Sequence, residues 1–357
     1  MFQRFLASFP DSSPSIKRLA VRVRHPEDTL MKLESDFLSR WGNIQSVVCP
    51  QLALGVDALG HLSRMSVLTR LTFKQVTTLP APDTSLSFHN LRYLTVYSKS
   101  LAPISRLFSQ MQAPTITEVA VIVDSCPSRP ELSSFLAALE TSNAGHAIES
   151  LTLDQPFPMM TTERGPEPVV LNFEDLRPCV AFHHLRRLKL NITWNVSLRD
   201  NDVLTLASAW PHLEHFVINS YSGWNASGGV TPHGLLVLLQ RCCELQWIAL
   251  ALDTRGYAAS PVNDSPLPAT STPRLAHPLQ RTLFINVLDS AIEAEAVPSV
   301  AAFFATIVPC ANVSFRAWRG GKMVRPEGWE VYNMRWENVF RWAHRQSAFL
   351  SHYMVGD

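Results

Sequence analysis

The stretch Leu91-Arg-Tyr-Leu94-Thr-Val96 reads as an apolar residue, two variable ones, an apolar residue, one variable and an apolar residue. Upstream, the same spacing is found at Leu68-x-x-Leu71-x-Phe73, Ile44-x-x-Val47-x-Cys49 and Ile16-x-x-Leu19-x-Val21. Downstream it returns at Ile116-x-x-Val119-x-Val121, Ile148-x-x-Leu151-x-Leu153, Leu185-x-x-Leu188-x-Leu190, Leu213-x-x-Phe216-x-Ile218 and Leu245-x-x-Ile248-x-Leu250. Successive copies start 28, 24, 23, 25, 32, 37, 28 and 32 residues apart. The last two apolar residues of each copy alternate with a variable one, the period of a strand with one buried face. One such strand cannot bury its apolar edge alone, so the copies must stack on one another.

The intervening segments have helical spacing. Val56–Leu68 carries Leu59, Leu62 and Met65, and Ala102–Met111 carries Ile104, Leu107, Phe108 and Met111. Glu131–Glu140 carries Leu132, Phe135, Leu136 and Leu139, with Pro130 suited to its first turn. Thr231–Cys242 has an N-cap residue in Thr231 and Pro232 at the first helical position. Strand plus helical return at this period is the mark of leucine-rich repeats. The expected fold class is therefore α/β. It is an irregular leucine-rich-repeat solenoid over residues 16–315, a curved parallel sheet with helices on its convex side. Residues 1–15 are an N-terminal remnant.

Two proline-rich segments, near 154–170 and 254–278, read as loops inserted between copies. The second contains Ser260-Pro, Ser265-Pro and Thr272-Pro, each open to a proline-directed kinase. Beyond residue 279 the pattern weakens, with strands at Leu283–Val287 and Val313–Phe315 around a helix at Val297–Ile307. Residues 316–357 are rich in tryptophan, and Trp336, Val339, Phe340 and Ala343 share one helical face. The expectation there is a helical cap that seals the last copy.

Charge is balanced, 31 basic against 30 acidic residues, so bulk attraction to nucleic acid or anionic membrane is not expected. No stretch approaches the length of a membrane helix, and the N-terminus lacks the apolar run of a signal peptide. No Cys-x-x-Cys occurs among the six cysteines, so reduced thiols and a cytoplasmic or nuclear location are expected. There is no Gly-x-Ser-x-Gly, His-Glu-x-x-His, phosphate loop or Gly-x-Gly-x-x-Gly. The sequence thus points away from an enzyme, with no catalytic residue, metal or cofactor assigned.

What remains is the open side of the strands. If the apolar positions face the core, the third, fifth and seventh positions of each copy face outward. Those positions hold Arg18, Arg22, Arg70, Lys74, Tyr93, Tyr97, Glu118, Asp154, Arg187, Lys189, His215, Asn219 and Trp247. Basic and aromatic residues predominate, the types that anchor protein interfaces. The candidate partner site is Arg18, Arg22, Arg70, Lys74, Tyr93, Tyr97, Arg187, Lys189, His215 and Trp247. A second reading places a nucleic-acid surface on Arg316, Arg319, Lys322, Arg325, Arg341 and Arg345 with the C-terminal tryptophans. No recognised nucleic-acid motif accompanies it.

The phrases Phe88-His-Asn-Leu-Arg-Tyr-Leu-Thr-Val96, Phe182-His-His-Leu-Arg-Arg-Leu-Lys-Leu190 and Trp210-Pro-His-Leu-Glu-His-Phe-Val-Ile218 carry a resemblance. With the tail Val297–Pro309 and the closing helix, the chain resembles fungal F-box/leucine-rich-repeat proteins over roughly residues 16–345. The resemblance implies a substrate-recognition part of a ubiquitin-ligase receptor, with a protein substrate as partner. The alternative is a repeat-only adaptor unconnected to ubiquitin. A cullin adaptor is an expected partner only with an upstream F-box, for which the fifteen residues before Ile16 are too short. The ninth repeat position departs from the family's Asn or Cys, being Arg24, Leu52, Val76, Lys99, Asp124, Pro156, Thr193, Tyr221 and Asp253. A backbone-bonding asparagine ladder is therefore not expected.

Overall fold

Nine strands start at the third position of a repeat copy, because the apolar residues at the fourth and sixth positions need a common buried side. The computed structural model describes residues 16–21, 32–33, 42–75, 85–142, 147–156, 169–225, 229–257, 282–307, 313–318 and 325–353. Residues 1–15, Arg22, Ser260, Ser265, Thr272, Arg319, Lys322 and most of both expected insertions lie outside the described residues. The architecture is α/β with parallel strands. The chain divides into two compact units, Met1–Glu163 with Asp175–Leu185, and Arg164–Glu174 with Arg186–Asp357.

In the first unit, β1 (Arg18–Ala20), β2 (Ser46–Leu54), β3 (Arg70–Lys74), β4 (Tyr93–Ser98), β5 (Glu118–Val123) and β6 (Ser150–Asp154) lie side by side in chain order. The register puts Leu19, Val47, Leu71, Leu94, Val119 and Leu151 in one row. All but Leu19 in that row are buried. Cys49, Phe73, Val96, Val121 and Leu153 form the next buried row. One irregularity follows Cys49, where the register jumps to Ala53. Pro50, which has no N–H to give a ladder, sits in that gap.

Helices return the chain along the buried side. They are α1 (Val56–Ser63), α2 (Ala102–Gln110) and α3 (Arg129–Thr141). α1 ends earlier than its apolar spacing predicts, since Arg64 N–H already closes on the carbonyls of His61 and Leu62. A capping box opens α3: Ser128 accepts from Glu131 N–H, and the Glu131 carboxylate accepts from Ser128 N–H at 2.8 Å. Phe108 of α2 meets Phe135 of α3 edge to face at 5.8 Å. Arg129 holds the buried Asp175 carboxylate at 3.1 Å.

In the second unit, β7 (Arg187–Asn191), β8 (His215–Ile218), β9 (Trp247–Ala249), β10 (Leu283–Asn286) and β11 (Val313–Arg316) pair in parallel and in chain order. Leu188, Phe216, Ile248, Ile285 and Phe315 share a row. Three residues past that row, Asn219, Leu288 and Trp318 have φ of 52°, 51° and 52°. The strand exits on a left-handed residue at the same place in three copies. This conformation costs roughly 1–2 kcal/mol for residues other than glycine, and Leu288 and Trp318 repeat it without asparagine.

That turn corrects one expectation. Asn219, at a seventh position and expected to face solvent, is 1% exposed. Its carbonyl accepts from Ile192 N–H at 3.0 Å and its amide donates to the Trp194 carbonyl at 2.6 Å. Asn191, at the seventh position of the preceding copy, accepts from the N–H and hydroxyl of Ser220. Two backbone-bonding asparagines thus stand at seventh positions, while the ninth positions of the same copies hold Thr193 and Tyr221.

The helices of this unit are α4 (Asp200–Ala209), α5 (Pro232–Arg241), α6 (Val297–Ile307) and α7 (Trp329–Tyr353). Thr231 is the N-cap of α5, accepting from His233 and Gly234 N–H. Asp200, at the start of α4, accepts in turn from Thr231 N–H at 2.7 Å and from its hydroxyl at 2.6 Å. α7 lies on α6 with Trp336, Val339 and Ala343 buried. Phe340 stacks on Phe315 of β11 at 4.6 Å. The indole N–H groups of Trp318 and Trp336 both donate to the Ser290 carbonyl, at 3.1 and 2.9 Å. The Ser290 hydroxyl, itself donating to the Val287 carbonyl, accepts from Leu252 N–H. The C-terminal helix therefore covers the aromatic end of this unit.

Candidate functional site

Strand alternation determines which side chains the outer side of each sheet presents. In the first unit the third positions align as Arg18, Ser46, Arg70, Tyr93, Glu118 and Ser150. Arg70 lies on β3 beside Tyr93 on β4, and its guanidinium stands 4.2 Å from the centre of the Tyr93 ring. Lys74 and Tyr97 are paired the same way, four residues further along these strands. Arg70 is exposed and the other three are half-exposed. They form a two-by-two block of cation and phenol, about 5 Å across the strands and 13 Å along them. Arg18, exposed, stands in the Arg70 row two strands away.

The second unit has its own row: Arg187, His215, Trp247, Phe284 and Ser314. Trp247 is 38% exposed, with its ring 4.2 Å from that of Phe284. The Arg316 guanidinium lies 4.9 Å from the Phe284 ring centre. Lys189 stands 5.5 Å over the Tyr221 ring. His215 is held below its ordinary pKa, first by burial and then by the Arg187 charge, with Glu214 opposing. In the neighbouring row, Val217 and Ala249 are buried where the alternation expects exposure. The outer surface of this unit thus narrows to a strip.

Phe284 escaped the sequence reading, and Arg316 entered it only as part of the nucleic-acid surface, because their copies begin without the first apolar residue. Phe284 is the third position of a copy whose first position is Thr282. The periodic placement of Trp247 next to a strand near Leu283 was the available signal.

Other chemistry is sparse. A polar cavity of about 760 Å³ in the second unit is lined by Asn195, Arg199, Asp200, Thr231, Asp253 and Arg255, among others. Its carboxylates are engaged: Asp200 by Thr231, and Asp253 by Arg255 at 2.7 and 2.9 Å. Among the described residues no group of His, Cys, Asp or Glu is arranged to hold a metal ion. Burial pushes the thiols of Cys49, Cys179 and Cys242 up to about 11, 12 and 12, far from a nucleophile's range. Of the C-terminal basic and tryptophan residues, Trp318 and Trp336 are buried, and Arg325 lies over the Trp329 ring at 4.1 Å. No helix among the described residues is long and apolar enough to cross a membrane.

No family model matches the chain, and a search of the curated proteins finds no match.

Proposed function

We propose that the chain is a non-enzymatic interaction scaffold of leucine-rich-repeat type, serving as a substrate-recognition element like those of F-box ubiquitin-ligase receptors. The observation that carries this reading is the Arg70, Lys74, Tyr93 and Tyr97 block. Arg70, Tyr93 and Tyr97 are of the types that anchor interfaces, and with Lys74 they stand in register on adjacent strands of one ladder. The in-register stacking of six short parallel strands with helical returns supports the repeat reading. A rigid sheet presenting Arg and Tyr loses little entropy on binding.

The test is affinity capture from the native cell with the full chain and with the Arg70→Glu/Tyr93→Ala variant, whose fold is checked by circular dichroism. A proteinaceous partner held by the parent chain and lost by the variant is the expected result. A receptor role adds that this partner accumulates, and loses its ubiquitin, when the chain is removed from the cell. A captured partner whose level and ubiquitin do not change would leave a repeat adaptor without ubiquitin function. Equal capture by both chains would overturn the site.

A further inference from the structure

The strip in the second unit has a chemistry of its own. From Arg187 to Ser314 it crosses four inter-strand steps, about 19 Å, a span an extended peptide covers in about six residues. Arg187 on β7 stands at one end; towards the other, Arg316 of β11, in the next row, brings its guanidinium to 4.9 Å from the Phe284 ring centre. Between Arg187 and Phe284 lie His215 and Trp247. Burial first and the Arg187 charge next hold His215 below its ordinary pKa, with Glu214 opposing.

We infer that this strip is a docking site for an extended peptide with acidic residues flanking an apolar or aromatic centre. The carboxylates would meet Arg187 and Arg316, and the central side chain would lie against Trp247 and Phe284. A single-stranded nucleic acid fits less well. It needs a continuous track of cations and ring faces free for stacking. Here the cations are separated by His215 and Trp247, and Phe284 already faces Trp247 on one contact and Arg316 on another. The inference rests on the scaffold reading and deepens it: Arg187, His215 and Trp247 come from the candidate partner residues, and the strip adds Phe284 and Arg316, away from the Arg70–Tyr93 block.

The experiment is selection of a random dodecapeptide library displayed on phage against the full chain. Selected peptides are then synthesised with a fluorophore and titrated by anisotropy. The expected outcome is enrichment of Asp and Glu on both sides of an apolar or aromatic residue. Affinity should fall at least about tenfold in Trp247→Ala and in Arg316→Glu, weaken as salt is raised, and stay unchanged in Arg70→Glu/Tyr93→Ala. Circular dichroism confirms that each variant folds. Selection of no peptide, or of peptides without acidic residues, overturns the inference. So does binding indifferent to both Trp247→Ala and Arg316→Glu. Binding lost only in the Arg70→Glu/Tyr93→Ala variant overturns it too, while leaving the scaffold reading intact. An oligothymidylate that binds more tightly than every selected peptide, and is released by Arg316→Glu, assigns the strip to nucleic acid instead.

Discussion

Cys126 and Cys243 are exposed, whereas Cys49, Cys179 and Cys242 are buried with their thiols pushed up to about 11, 12 and 12. A thiol reagent at mildly alkaline pH should therefore modify Cys126 and Cys243 in the folded chain. It should reach the buried three only in denaturant, as mass mapping would read. Early labelling of Cys242 would contradict its packing, where its thiol contacts the Trp210 carbonyl at 3.3 Å. His215 gives a second residue-scale expectation. Its pKa is lowered in the fold, by burial first and by Arg187 next. Below its ordinary value of about 6.5 the unfolded chain binds the proton that the folded chain resists. Stability should then fall as pH drops from there towards the lower folded pKa. His215→Gln should flatten that part of the pH profile, measured by urea midpoints. A parallel fall in parent and variant would assign the loss to other groups. Of these features, the burial of Cys49 was legible from its apolar repeat position. The pairing of Arg70 with Tyr93 was legible only as a common row, since ring-over-cation geometry depends on side-chain torsions that spacing does not encode.

Gly234 shows a constraint that belongs to elements. It lies in the first turn of α5, and a Cβ placed there would run into the Asp200 carboxylate of α4. Alanine in a helix is ordinarily worth about 1 kcal/mol over glycine. Here the close approach decides the sign, and Gly234→Ala should destabilise by about 1–3 kcal/mol. In the Asp200→Ala background the same change should cost less, because the obstructing carboxylate and its bonds to Thr231 are gone; thermal melts of the four-member cycle would read the coupling. Additive effects would mean that the two helices do not meet there. The capping pair Thr231 and Pro232 was readable in the sequence, because those residue types serve helix starts wherever they occur. The left-handed strand exit was readable only at Asn219. Leu288 and Trp318 adopt it against their own preference, held by the bond from Trp318 N–H to the Leu288 carbonyl at 2.7 Å.

Across the whole molecule the strand starts followed from periodicity, because each buried row leaves one apolar residue per copy. The division into two units did not, since the copies on either side of it carry the same pattern. The C-terminal helix was expected to seal the last copy; in the structure it packs on α6. Trp336→Ala removes a fully buried indole and leaves its place against Phe304 empty, which should cost about 3–5 kcal/mol. Hydrogen exchange should then quicken in Leu283–Asn286 and Val313–Arg316; unchanged protection there would detach the helix from the sheet's stability. The distribution of indoles has an optical consequence as well. Eight of the nine tryptophans belong to the second unit, and only Trp41 to the first. Light absorbed at the red edge of the protein's spectrum is thus taken up almost wholly by one unit, and its emission reports that unit's state. The other stays nearly dark, so a single cuvette holds a signal that already distinguishes the two.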